Sequence, residues 1–144
     1  HWIPGSPDYQ SVVLIKTFLA VFPDALLVAY RDPNRSSVYK YMLGFSDGTP
    51  RDLDGQIEAA FRRAPTIFPT TNIANAQQFK AALKIPDRDI LATLNVPLVH
   101  DDLPVVEYGR SSEKLDGWQN LDKFTQDYSP IALQQYLQSI PTQD

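Results

Sequence analysis

Apolar residues recur at helical spacing over Tyr9 to Phe22: Val12, Val13, Ile15, Phe18, Leu19 and Phe22 fall on one side, with Lys16 and Thr17 on the other. This predicts a helix that Pro23 and Asp24 terminate. Asp8 or Ser6 stands where a cap is needed, in a Pro- and Gly-containing loop spanning His1 to Tyr9. Next, Ala25 to Tyr30 (ALLVAY) is a continuous apolar run, the pattern of a buried strand. Asp32-Pro33-Asn34 reads as a turn, and Ser37 to Phe45, rich in β-branched and aromatic residues, reads as a second strand antiparallel to the first. Ser46-Asp47-Gly48-Thr49-Pro50 is another turn.

Beyond it, Leu53, Ile57, Ala60 and Phe61 form the face of a helix over Asp52 to Arg63, and Pro65 and Pro69 break the chain. Asn75 to Leu83 predicts a helix with Ala76, Phe79, Ala82 and Leu83 inward, and Asp87 to Leu94 a short helix or turn. Asn95 to Asp102 reads as loop and Val105 to Tyr108 as a short extended piece. Glu113 to Asp122 is poor in apolar residues and reads as a link. Tyr128, Ile131, Leu133, Tyr136, Leu137 and Ile140 define a terminal helix, with Ser129 as cap and Pro130 in its first turn. The expectation is an α/β fold.

With 144 residues the chain fits one domain with a real core, and 43% hydrophobic against 21% charged residues argues against wholesale disorder. The net charge of −4 comes without a Lys/Arg run, so no nucleic-acid partner is expected. The absence of cysteine excludes disulfides, thiolate metal sites and a cysteine nucleophile. With only His1 and His100, an all-histidine metal site would need carboxylates as well. The most apolar stretch, Ser11 to Tyr30, is interrupted by Lys16, Pro23 and Asp24, so no direct membrane insertion is expected. No positive n-region with a cleavage site is present. A cytoplasmic location is expected, and a start at His1 rather than Met reads as a piece cut from something longer.

Phosphate-cradling patterns are missing: there is no G-x-G-x-x-G, Walker A or G-x-S-x-G. The densest polar cluster is His100-Asp101-Asp102, followed by Glu107 and Tyr108. Such a group could hold a cationic amine or a hard metal ion. Equally, Asp101 and Asp102 suit local bonding to backbone amides in the turn before Pro104, which is the commoner use of such residues. Tyr30, Tyr39 and Tyr41 could line a pocket, although strand tyrosines more often pack on a core. Arg62 and Arg63 suit a helix C-terminus, where cations complement the dipole.

Two segments together resemble a known family. One is His1-Trp2-Ile3-Pro4 followed by Val13-Leu14-Ile15-Lys16-Thr17-Phe18-Leu19-Ala20-Val21-Phe22-Pro23-Asp24. The other is Asn95-Val96-Pro97-Leu98-Val99-His100-Asp101-Asp102-Leu103-Pro104-Val105-Val106-Glu107-Tyr108. The first is similar to the aromatic-proline segment and helix that follow the fifth strand in spermidine-synthase-like proteins. The second resembles a segment near their C-terminus, especially in the bacterial type joined to transmembrane helices. His100 departs from the family, which usually has a small polar residue there. Leu43 to Pro50 and the helix at Asp52 fall where the family has the second hairpin strand and a helix.

The resemblance covers His1 to Arg110 and implies the C-terminal part of a methyltransferase-like (Rossmann-type) sheet with an antiparallel β-hairpin and several helices. It implies a domain over residues 1–110, a linker over 111–127 and a C-terminal helix over 128–144. The family's Gly-rich loop, ribose-holding acid and catalytic aspartates lie upstream, so no catalytic residue or cofactor site is expected here. Decarboxylated S-adenosylmethionine would belong to the parent. Asp101, Asp102, Glu107, Tyr108 and Tyr30 are the substrate-binding candidates. The expected partner is the missing nucleotide-binding half or a second copy, joined through an unpaired hairpin edge. The parent would transfer an aminopropyl group in polyamine biosynthesis. Two other readings stay open: a non-catalytic interaction module, and a small metal-dependent hydrolase built on His100, Asp101, Asp102 and Glu107.

Overall fold

The computed structural model describes residues 2–3, 9–31, 38–64, 73–98 and 123–141. Its elements are β1 (Trp2–Ile3), α1 (Tyr9–Val21), β2 (Leu26–Arg31), β3 (Val38–Leu43), α2 (Leu53–Arg63), α3 (Ala76–Ala82), β4 (Leu83–Pro86), α4 (Arg88–Thr93), β5 (Thr125–Asp127) and α5 (Pro130–Ser139). The strands form one sheet in the order β1-β3-β2-β4-β5, and every neighbouring pair is antiparallel. The fold is mixed α/β. Because β3 is antiparallel to both β1 and β2, those two strands run the same way, with α1 between them in sequence and β3 between them in space.

Helices cover both faces of the sheet, and the period-2 alternation of the strands decides which residue goes where. Ala25, Leu27 and Met42 pack with Val12, Ile15 and Leu19 of α1, Leu91 of α4 and Phe124. On the opposite face, Leu26, Val28, Leu83 and Ile85 pack with Leu53 and Ile57 of α2, Ala76 and Ala82 of α3, and Leu133 and Tyr136 of α5. An apolar run without alternation is what a strand needs when both its faces are covered. This is why ALLVAY shows no polar positions although its neighbours are antiparallel.

Local chemistry sets the helix ends. Asp52 caps α2 by accepting from Gly55 N (3.0 Å), Asn75 caps α3 through Gln78 N (2.9 Å), Asp87 caps α4 through Ile90 N (3.0 Å), and Ser129 caps α5 through Ala132 N (3.1 Å), with Pro130 in the first turn. Between β3 and α2 the chain reverses in a turn closed by Gly48 N donating to Phe45 O (3.2 Å). Gly48 there has φ +82°, a conformation that a side chain rarely permits. The close approach at Gly44 has a different cause. A Cβ there would stand 2.8 Å from the Phe22 ring and 2.9 Å from that of Phe18, whose rings stack at 4.9 Å.

Three features depart from the sequence-based expectations. The two hairpin strands do not present free edges: β2 pairs outward with β4 through Leu27↔Lys84 and Val28↔Leu83, and β3 pairs outward with β1 through Trp2↔Tyr41 and Ile3↔Lys40. The chain itself therefore occupies both sides of the hairpin. Leu83, read as the last residue of the preceding helix, instead opens a strand, Leu83–Pro86, that begins without a linker where α3 ends. Thr125–Asp127, at the end of the stretch read as a link, forms β5, and its pairing is prolonged by Asp87 N to Phe124 O (2.8 Å) and Tyr128 N to Leu83 O (3.3 Å). Among the described residues no helix is long and apolar enough to cross a membrane.

Leu133 is 2% exposed and belongs to the same core as Leu26 and Ile57, which makes α5 part of the body of the domain. Leu133→Ala should lower the unfolding free energy by about 2–5 kcal/mol in one cooperative urea transition. An unchanged midpoint would mean that the helix is an appendage.

Candidate functional site

Tyr30 is the substrate-binding candidate that falls within the described residues. It lies on β2 opposite Tyr39, half-buried and packed against the core that contains Val28 and Leu133. Tyr41, opposite Val28, shares that face but is 40% exposed. Asp101, Asp102, Glu107 and Tyr108 lie outside the described residues, as do His1 and His100. Arg62 and Arg63 close α2, as the dipole argument expects, and both are exposed.

The structure also brings out residues that motif searching passed over. Lys40, on β3, is 5% exposed. It stands opposite Ala29 and therefore on the face of Leu27 and Met42, away from the tyrosines. Its place in the Val38-Tyr39-Lys40-Tyr41 alternation carried this signal, because a polar residue between two aromatic ones must face the other side.

One polar cluster joins three elements. The Tyr128 hydroxyl donates to Asp54 Oδ1 of α2, and Lys80 of α3 donates to Glu58 Oε1 (2.8 Å) and lies 3.5 Å from Asp54 Oδ2. Burial, reinforced by its bond to Asp54, pushes the Tyr128 hydroxyl far above its ordinary range. It therefore stays protonated and acts as a donor, not as a base. The hydrogen bond to Glu58 raises Lys80, burial opposes it and Asp54 adds to it, which keeps the ammonium charged. The arrangement ties α2, α3 and the entry to α5 together.

A second cluster surrounds the turn from α1 into β2. Asp24 Oδ2 accepts from Thr49 N, while Thr49 Oγ1 donates to Asp24 O (2.8 Å). The Pro23 carbonyl accepts from Arg88 and from the Tyr136 hydroxyl (3.1 Å), which is also 3.1 Å from Ala25 O. Pro23 frees no amide of its own, so its carbonyl is the group that the turn must satisfy. Beside this turn is an open cleft of about 470 Å³, lined by Phe22, Asp24, Phe45, Leu137 and Ile140 among others.

Both clusters spend their carboxylates on amides, a lysine or a tyrosine hydroxyl, the work of holding elements in place. Among the described residues no group of three or more His, Cys, Asp or Glu side chains is placed to hold a metal ion. No family model, curated protein or solved structure matches the chain.

Burial raises the Tyr136 hydroxyl to about 12, with Arg88 lowering it and Asp24 raising it. A neutral acid whose folded value lies above its unfolded one of 10.0 gives stability that is full below pH 10 and is lost as pH rises towards 12. Between pH 10 and 12 the wild-type chain should lose about 2–3 kcal/mol more than Tyr136→Phe, as read from urea unfolding at each pH. Parallel profiles would show that the hydroxyl titrates in the folded state as it does in the unfolded chain.

Proposed function

We propose that the chain is the C-terminal part of a spermidine-synthase-like protein of the bacterial, membrane-fused type, inactive without the half that binds the nucleotide. The observation that carries this reading is the arrangement at one end of the sheet. Two strands that run the same way, β1 and β2, are joined through α1, and β3 is inserted antiparallel between them. A parallel methyltransferase-type sheet that ends in an antiparallel hairpin would be built in this way, with β1 as the end of its last upstream strand. The Phe22-Pro23-Asp24 junction, where α1 turns into β2, stands where the family's helix ends.

On this reading the parent aligns an amine with the carbon next to the sulfonium of decarboxylated S-adenosylmethionine. The nitrogen forms a bond to that carbon, methylthioadenosine leaves with the bonding pair, and carboxylates of the missing half take the amine proton. The present chain supplies one wall of the polyamine or nucleoside site. Tyr30, Asp101, Asp102, Glu107 and Tyr108 are its substrate-side candidates. Its partner is the missing half or a second copy, and the location is cytoplasmic.

An amide NMR titration with methylthioadenosine and then spermidine tests the reading. Localised, saturable shifts at Tyr30–Tyr41 and Asp101–Tyr108 are expected. A dispersed spectrum in which neither compound moves these resonances would remove the aminopropyl-transfer reading for this chain.

A further inference from the structure

Three separate parts of the chain build the open cleft beside the turn into β2: the end of α1 with Phe22, the turn after β3 with Phe45 and Ser46, and the end of α5 with Leu137 and Ile140. Phe22, Phe45, Leu137 and Ile140 are half-buried, each packed against one of the two cores. The volume, about 470 Å³, is that of a small-molecule site, for which roughly 300–1,000 Å³ is usual. Among the described residues that line it, Asp24 is the one ionisable group. Its Oδ2 accepts from Thr49 N, and a Cβ at Gly48 would stand 3.1 Å from the same oxygen. Pro23, its neighbour in the chain, and Gly48, its neighbour across the turn, both line the cleft, which puts the carboxylate at that wall. The amide bond uses one of roughly four acceptor positions on a carboxylate. Asp24 is half-buried, and among the described residues it has no Lys, Arg or His within ion-pair distance. Arg88 is engaged with the Pro23 carbonyl and the Tyr136 hydroxyl and does not line the cleft.

A fixed carboxylate at an apolar cleft, in a chain of net charge −4, selects for a cation that carries hydrocarbon. We propose that this cleft binds small apolar amines in their ammonium form, with the ammonium on Asp24 and the hydrocarbon part against Phe22, Phe45, Leu137 and Ile140. An ammonium offers donors only, which suits an acceptor-only carboxylate, and the bond between two ionised groups is stronger than a neutral one. An anion would meet a like charge at the Asp24 wall. The cleft lies where the chain enters β2, whereas Tyr30 is near the other end of that strand, so the site is independent of the aminopropyl-transfer reading.

The test is an amide NMR titration of the chain with 4-phenylbutylamine and, separately, with its neutral counterpart 4-phenylbutanol. Saturable shifts at Phe22, Phe45, Gly48 and Leu137 are expected for the amine, with the alcohol weaker by about fivefold or more. Asp24→Asn keeps an oxygen for Thr49 N and removes the charge, so it should bring the amine down to the affinity of the alcohol and leave the alcohol unchanged. Ser46→Trp, at an exposed position of the lining, narrows the cleft and leaves the carboxylate. It should weaken both compounds and serves as a second route if the charge variant fails to fold. Equal affinities for amine and alcohol, an amine affinity unchanged in Asp24→Asn, or no shifts at these four residues would overturn the proposal.

Discussion

The structure depends on the burial of β2 from both sides. Ala25, Leu26, Leu27 and Val28 are consecutive and all buried, and successive side chains enter opposite cores. One strand thereby fixes two helical layers: α1 and α4 on one side, α2, α3 and α5 on the other. Its backbone groups are then inaccessible to water and need partners on both edges, which β3 and β4 supply. Among the described residues the outer strands are short, β1 with two residues and β5 with three.

The turn that delivers the chain into β2 is fastened from three directions. Thr49 holds it from the turn before α2, Arg88 from α4 and Tyr136 from α5. These elements are distant in sequence, so the turn acts as a junction between the two layers. The polar residues that a search for chemistry would notice there are engaged with the backbone. Arg88 also bonds the Tyr136 hydroxyl, so its guanidinium links two of these fastenings.

The proposed kinship places a different part of the chain at the centre of function. Tyr30 and Tyr41 share one face of the hairpin, whereas Lys40 belongs to the other. If the sheet continues upstream into a parallel array, β1 is the seam at which the two halves join. Among the described residues β1 pairs with Tyr41 and Lys40 of β3.

By itself the sequence determined the long, strongly patterned elements: α1, β2, β3, α2 and α5, with the Ser129 cap and Pro130 start of the last. Their apolar periodicity and capping residues are local properties of adjacent positions. Tertiary structure alone decided β1, β4 and β5. These strands are too short to carry a period, and they are stabilised by backbone bonds to partners remote in sequence. The same reason hides the site chemistry of the described residues. Pro23, Arg88 and Tyr136 are unremarkable in the sequence and far apart along it, and they meet only because the fold brings α4 and α5 to the turn that opens β2.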